Sequence, residues 1–219
     1  MPTLTNTDTA TEARLRELVS AVHFLANRGW TPATSSNFSL RSNEKEFLIS
    51  VSGLDKGDLT TADFLPVDAE GHVLDPKRKD SKPSAETRLH GWVYRRFAQA
   101  SVVLHTHSVN GTVMGKLHEA QGVVSITGFE MLKAFAGVKT HEATVTIPVF
   151  PNSQNMTALA ETIDRWYEAN VDQPLYGFLL AGHGLYCWGE NAAEARRHAE
   201  TFEFLFECLL KLKLAEGKA

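Results

Sequence analysis

His105-Thr106-His107 closes the apolar run Ser101-Val102-Val103-Leu104, and no other feature constrains this chain as much. The run reads as a buried strand, and side chains two apart on a strand project to the same face. Two imidazoles therefore leave the strand end side by side, spaced to hold one metal ion. A third histidine lies at the end of a second apolar run, Gly177-Phe178-Leu179-Leu180-Ala181-Gly182-His183-Gly184. Glycine on both sides lets the backbone turn sharply and leaves the His183 ring unobstructed. Three neutral nitrogen ligands with one open position describe a catalytic zinc, whereas a structural zinc is closed by four protein ligands. The competing reading is a histidine pair satisfied by backbone groups, and the third histidine tips the balance towards an enzyme.

The rest of the composition narrows the class. At 219 residues, 43% of them hydrophobic, the chain fits one globular domain with a substantial core. A net charge of −4 gives no basic field for nucleic acid or an anionic membrane. No apolar run approaches the roughly 18 residues that span a bilayer. The start, Met1-Pro2-Thr3-Leu4, lacks a basic and an apolar signal region, and Cys187 and Cys208 form no CxxC pair. A reduced, cytoplasmic compartment is expected.

Residues 1–8 are polar and expected to be frayed, leaving one catalytic domain over 9–219. Thr9 and Glu12 have capping-box spacing and open a helix with Leu15, Leu18, Val19, Val22 and Leu25 inward, stopped by Gly29. Strands are expected at Phe47–Val51, Phe64–Val67 and, after a turn, His72–Leu74. Ser84 caps a helix carrying Leu89, Trp92, Val93 and Phe97, and a short helix starts from Ser108. Thr127 and Glu130 again have capping-box spacing. A strand over Ala143–Val149, a helix over Thr157–Glu168, the strands around His183 and a long helix from Asn191 complete the chain. Several strands are joined too tightly for helical crossovers, so the fold expected is α/β with a central mixed, largely antiparallel sheet flanked by helices.

Other polar residues are weaker candidates. His198, among Arg196, Arg197 and Glu200, reads as part of a solvated helix face, and His90, one turn after Glu86, as an ordinary exposed residue. Glu86 reads most simply as a first-turn acid complementing a helix dipole, and Glu130 as the capping partner of Thr127. Thr34-Ser35-Ser36-Asn37-Phe38-Ser39, Val51-Ser52-Gly53-Leu54 and Ser84 offer hydroxyls and amides suited to an anion, although such clusters are often only turns. No Walker or GxGxxG motif indicates a nucleotide.

Taken in order, Ser36-Asn37, Ser52-Gly53, Pro83-Ser84-Ala85-Glu86, His105-Thr106-His107 and Gly182-His183-Gly184 resemble the class II aldolase family over nearly the whole chain. The resemblance implies His105, His107 and His183 as ligands of one Zn²⁺ per subunit. It implies Glu130 as catalytic acid/base, and Glu86 at the place of the aldolases' acid/base carboxylate. Asn37, Ser52, Gly53 and Ser84 would line the phosphate pocket, although Ala85 stands where aldolases commonly carry a second serine. A homotetramer with active sites near subunit borders and a small sugar-phosphate substrate are implied as well. The segments Ile126-Thr127-Gly128-Phe129-Glu130-Met131 and Gly182 to Gly189 resemble the family's dehydratases most. That implies a lyase removing water from a methylthio-substituted ketose phosphate in methionine salvage. Sugar-phosphate aldolase or 4-epimerase chemistry and a non-catalytic adducin-like interaction domain are the alternatives on this scaffold. A cupin-like metal protein also uses an HxH pair, but here Ser108-Val109-Asn110-Gly111 leads into a helix where a cupin would continue its barrel.

Overall fold

A computed structural model describes residues 6–217, with side chains from Thr9 onward. Five helices flank one eight-stranded sheet of order β3-β2-β1-β4-β8-β7-β6-β5. The strands are β1 (Asn37–Arg41), β2 (Glu46–Ser50), β3 (Phe64–Asp68), β4 (Val102–Thr106), β5 (Val123–Ile126), β6 (Val145–Phe150), β7 (Gly177–Leu180) and β8 (Gly184–Gly189). Every neighbouring pair is antiparallel except β6 and β7. The tight β1–β2 and β7–β8 connections force antiparallel pairing there, because a parallel pair needs a crossover of a dozen or more residues, which α4 supplies between β6 and β7.

The helices are α1 (Asn6–Asn27), α2 (Thr87–Arg96), α3 (Val109–Leu117), α4 (Met156–Ala169) and α5 (Ala192–Ala215). Leu15, Leu18, Val22 and Leu25 bury the inner face of α1 in one core, together with Met114 of α3 and Phe202, Leu205 and Phe206 of α5. A second core joins Leu89, Trp92 and Val93 of α2 to Leu159 and Ile163 of α4. The sheet therefore separates α1, α3 and α5 from α2 and α4. Burying whole helix faces on both sides is what holds the central strands rigid; each fully buried Leu or Phe contributes about 1.5–3 kcal/mol.

The structure corrects several sequence expectations. Helix α1 begins at Asn6, so part of the segment expected to fray is helical, while residues 1–5 lie outside the described residues. The helix expected from Ser84 starts at Thr87, and Ser84 sits in the preceding turn, where its Oγ accepts the Glu86 N–H at 3.2 Å. His72–Leu74 forms only an isolated bridge between Val67 and Val73. Strand β1 carries polar residues that mask it in the sequence, and β5 is only four residues long. The Thr127–Glu130 capping box does not form: Thr127 Oγ1 donates to the Glu142 carbonyl, and Glu130 opens a 3-10 turn over Glu130–Ala134.

Candidate metal centre

Strand register sets the floor of the site. Asn37 on β1 lies opposite His105 on β4, and His105 lies opposite Tyr186 on β8. Residues paired across antiparallel strands share a face, so these side chains form a row on the α2 side of the sheet. The His105 ring stacks on Tyr186 with centroids 4.0 Å apart, and Tyr186 stacks on Phe178 at 4.8 Å. His107 follows the end of β4, where its N–H is held by the Trp30 carbonyl at 2.9 Å. His183 occupies the β7–β8 turn beside Gly182, whose φ of +64° favours glycine. A Cβ on Gly184 would collide with the Thr106 carbonyl, so glycine is what lets this turn close onto the end of β4.

The three Nε2 atoms converge. His107 and His105 are 2.8 Å apart, His105 and His183 3.2 Å, and His183 and His107 3.1 Å. His105 Nδ1–H donates to the Leu185 carbonyl at 3.0 Å, which leaves its Nε2 as a lone pair facing the other two rings. His183 Nδ1 meets Asn152 Oδ1 at 3.1 Å. Burial pushes His105 well below the ordinary imidazole range and, with the neighbouring His183, takes His107 down to about 4. Neutral, closely grouped imidazole nitrogens, with the far nitrogens of His105 and His183 anchored, are what a divalent ion requires.

Glu86 comes to the same point from the N-terminal end of α2. Its carboxylate lies 3.2 Å from His105 Nε2 and 3.0 Å from His183 Nε2, and it accepts from Asn37 Nδ2 and Tyr186 Oη, both at 2.7 Å. Burial opposes its charge, but the imidazoles of His105 and His183 and the Asn37 amide outweigh that and hold the carboxyl below its ordinary range. The dipole reading of Glu86 misses these contacts.

Behind Asn37 runs a polar seam. Asn37, Ser39 and Arg41 recur every second residue on β1, about 6.7 Å apart; Glu86, His90 and Tyr94 recur every fourth residue along α2, about 6 Å apart. The two spacings match, and the rows interlock: Asn37 Oδ1 to His90 Nε2 at 2.5 Å, Ser39 Oγ to His90 Nδ1 at 2.6 Å, and Ser39 Oγ to Tyr94 Oη at 2.7 Å. His90, expected to be exposed, is fully buried here. His198, also expected to be solvated, is buried between the Trp188 carbonyl, 2.8 Å from its Nδ1, and the Ala136 N–H.

The anion-site segments also meet. Ser52 N–H donates to the Lys82 carbonyl at 3.0 Å, joining the Ser52-Gly53 turn to the segment leading into Ser84. Lys56, which sequence reasoning passed over, is buried, and its Nζ donates to the carbonyls of Thr34 (3.0 Å) and Leu54 (2.6 Å), pinning the 34–37 loop against that turn. Ala33 and Ser36, with φ of 55° and 73°, hold this loop in a conformation uncommon outside glycine. Glu130 is not part of the assembly: within one chain it is exposed and pairs with Lys133 and, at 3.8 Å, with His141.

Residues 16–210 match the family described as class II aldolase and adducin N-terminal domain. The chain belongs to this family. It is 47% identical over 211 residues to the methylthioribulose-1-phosphate dehydratase of Stenotrophomonas maltophilia (strain K279a), covering 96% of each chain. It is 47% identical to the enzyme of the same name from Serratia proteamaculans (strain 568), over 94% of this chain and 98% of that one. Among solved structures it resembles the L-fuculose-1-phosphate aldolase of Thermus thermophilus, with a TM-score of 0.72 and 25% identity over 95% of this chain and 100% of that one. The class II aldolase fold expected from the sequence is thus the fold observed. No helix among the described residues is long and apolar enough to cross a membrane.

Proposed function

We propose that this chain is a hydro-lyase that converts 5-methylthioribulose 1-phosphate to 2,3-diketo-5-methylthiopentyl 1-phosphate in methionine salvage, acting as a cytoplasmic homotetramer with one Zn²⁺ per subunit. The observation that carries it is the convergence of the His105, His107 and His183 nitrogens in a chain 47% identical to dehydratases of that name. His105, His107 and His183 would hold the ion through Nε2, with Glu86 beside them. When bound, the ion supplies Lewis acidity next to the ketose carbonyl, which acidifies the neighbouring C3–H.

The chain's own groups then divide the work. Ser52, Gly53, Ser84 and the second Nδ2 hydrogen of Asn37 bind the phosphate through neutral donors, which can hold a dianion without an arginine cluster. Glu130 is the acid/base carboxylate, reaching the substrate from a neighbouring copy of the chain. Lys133, by hydrogen bond and charge, keeps its carboxyl below the ordinary range, the state a base needs at the outset. It takes the C3 proton; the C4 hydroxyl departs with that proton as water, leaving an enol that tautomerises to the diketone. The exposed stripe Val109, Val113 and Leu117 on α3, which starts two residues after His107, supports a subunit contact close to the site.

Placement of Glu86 against the histidines favours one second reading, retro-aldol cleavage or epimerisation of a sugar phosphate. Zinc-loaded protein supplied with methylthioribulose 1-phosphate should yield the diketone. Release of dihydroxyacetone phosphate or glycolaldehyde phosphate from fuculose or ribulose phosphates, with no diketone, would replace the dehydratase reading by the aldolase one.

A further inference from the structure

The polar seam between β1 and α2 has a donor order that chemistry fixes completely. An ionised Glu86 only accepts, so Asn37 presents its amide nitrogen to Glu86 and its oxygen to His90. That oxygen accepts, so His90 carries its hydrogen on Nε2. His90 Nδ1 is then a lone pair and accepts the Ser39 hydroxyl hydrogen. The Ser39 oxygen in turn accepts from Tyr94 Oη–H. Every bond from Tyr94 through Ser39, His90 and Asn37 donates towards Glu86. Asn37, Ser39, His90 and Tyr94 are all buried, so no water replaces a lost partner.

We infer that His90 is a positioning residue: held as the neutral Nε2–H tautomer, it locks the Asn37 amide so that Glu86 is fixed against the His105 and His183 imidazoles. Without this lock the Asn37 amide could turn its oxygen towards Glu86 and repel it. The seam carries no proton, because a primary amide interrupts the relay at Asn37. It acts as a line of fixed dipoles. Burial pushes His90 down to about 3 against the pull of the Glu86 charge, which matches a ring that stays neutral while it donates. The inference rests on the reading that His105, His107 and His183 hold the metal, but needs nothing from the dehydratase chemistry.

Two measurements test it, and neither depends on turnover. Nitrogen NMR of the wild-type protein should show His90 with a protonated Nε2 and a bare Nδ1 that does not titrate across neutral pH; a protonated Nδ1 overturns the inference. Zinc competition titrations should find affinity weakened about 10- to 100-fold in His90→Leu, the range for groups that orient metal-site side chains. Affinity should be largely restored in His90→Gln, whose amide nitrogen can stand in for Nε2–H. Melting curves of the zinc-free variants record the packing cost separately. Zinc affinity in folded His90→Leu within twofold of wild type would show that His90 only packs the core. Absence of dehydratase activity in the wild type would leave both readouts in force.

Discussion

Glu86 and Glu130 are both glutamates near a helix start, yet the fold treats them in opposite ways. The Glu86 side chain is 14% exposed and its oxygens meet four groups, His105, His183, Asn37 and Tyr186. The Glu130 side chain is 71% exposed and holds only Lys133 and His141. A carboxylate with its lone pairs occupied in a rigid seam is suited to hold other groups in place. One with free lone pairs on a short surface turn is suited to move a proton once a substrate or a neighbouring chain arrives. Position in the hydrogen-bond network, more than charge, separates the two roles proposed for them.

The largest expected effect tests the premise shared by both roles. His183→Ala should abolish turnover and lower bound metal while the protein stays folded, because the residue sits in a surface turn. Full metal occupancy in that variant, read by elemental analysis, would remove His183 from the site and leave His105 as the one imidazole of the cluster that Glu86 could steady.

Glu203 sharpens the comparison, being a buried carboxylate with no cation beside it among the described residues. Its Oε1 accepts from Ser108 Oγ, and the Ser108 hydroxyl and Asn110 amide favour its ionised form less than burial opposes it. Burial therefore prevails and raises it to about 7, whereas the partners of Glu86 drive that group down. Folded protein binds this proton more tightly than unfolded chain does, so the stabilising contribution of this one group is complete below about pH 4.5 and is lost as pH rises through about 7. That loss is on the order of 3 kcal/mol. Denaturant titrations at several pH values should show a slope that Glu203→Gln flattens; an unchanged slope would mean the carboxyl is paired in solution.

A smaller effect is expected where the substrate is only bound. Ser84→Asp sets a like charge against the phosphate and should raise KM about tenfold or more with kcat less affected. An unchanged KM would place the phosphate away from the Ser52–Ser84 turns. Smallest of all, Thr127→Ala should change stability by no more than about 0.5 kcal/mol, as at other surface positions, since the capping box that its spacing suggests is not formed.

Long-period patterns are legible in the sequence and short-range polar chemistry is not. The apolar periodicity of α1 and the runs before His105 and His183 point to helices, strands and the histidine cluster, because those signals are the burial itself. Strand β1 reads as a turn in sequence: its α2-facing side carries Asn37, Ser39 and Arg41, polar groups satisfied by α2 and the segment that follows it. His90 and His198 look solvated because their neighbours in sequence are charged, while their partners come from other elements. The capping-box spacing at Thr127 misleads for the complementary reason, since the Glu142 carbonyl, fifteen residues away, takes the hydroxyl.

The division between the two carboxylates is decided by making Glu86→Gln and Glu130→Gln side by side and measuring turnover and zinc affinity together. Glu130→Gln should lose about 10²- to 10⁴-fold in turnover, the range for a general acid–base group, with zinc affinity intact. Glu86→Gln should weaken zinc binding about 10- to 100-fold. The contradicting result is a Glu130→Gln enzyme that turns over normally beside a Glu86→Gln enzyme that is dead with its zinc fully bound; proton transfer would then belong to the buried carboxylate.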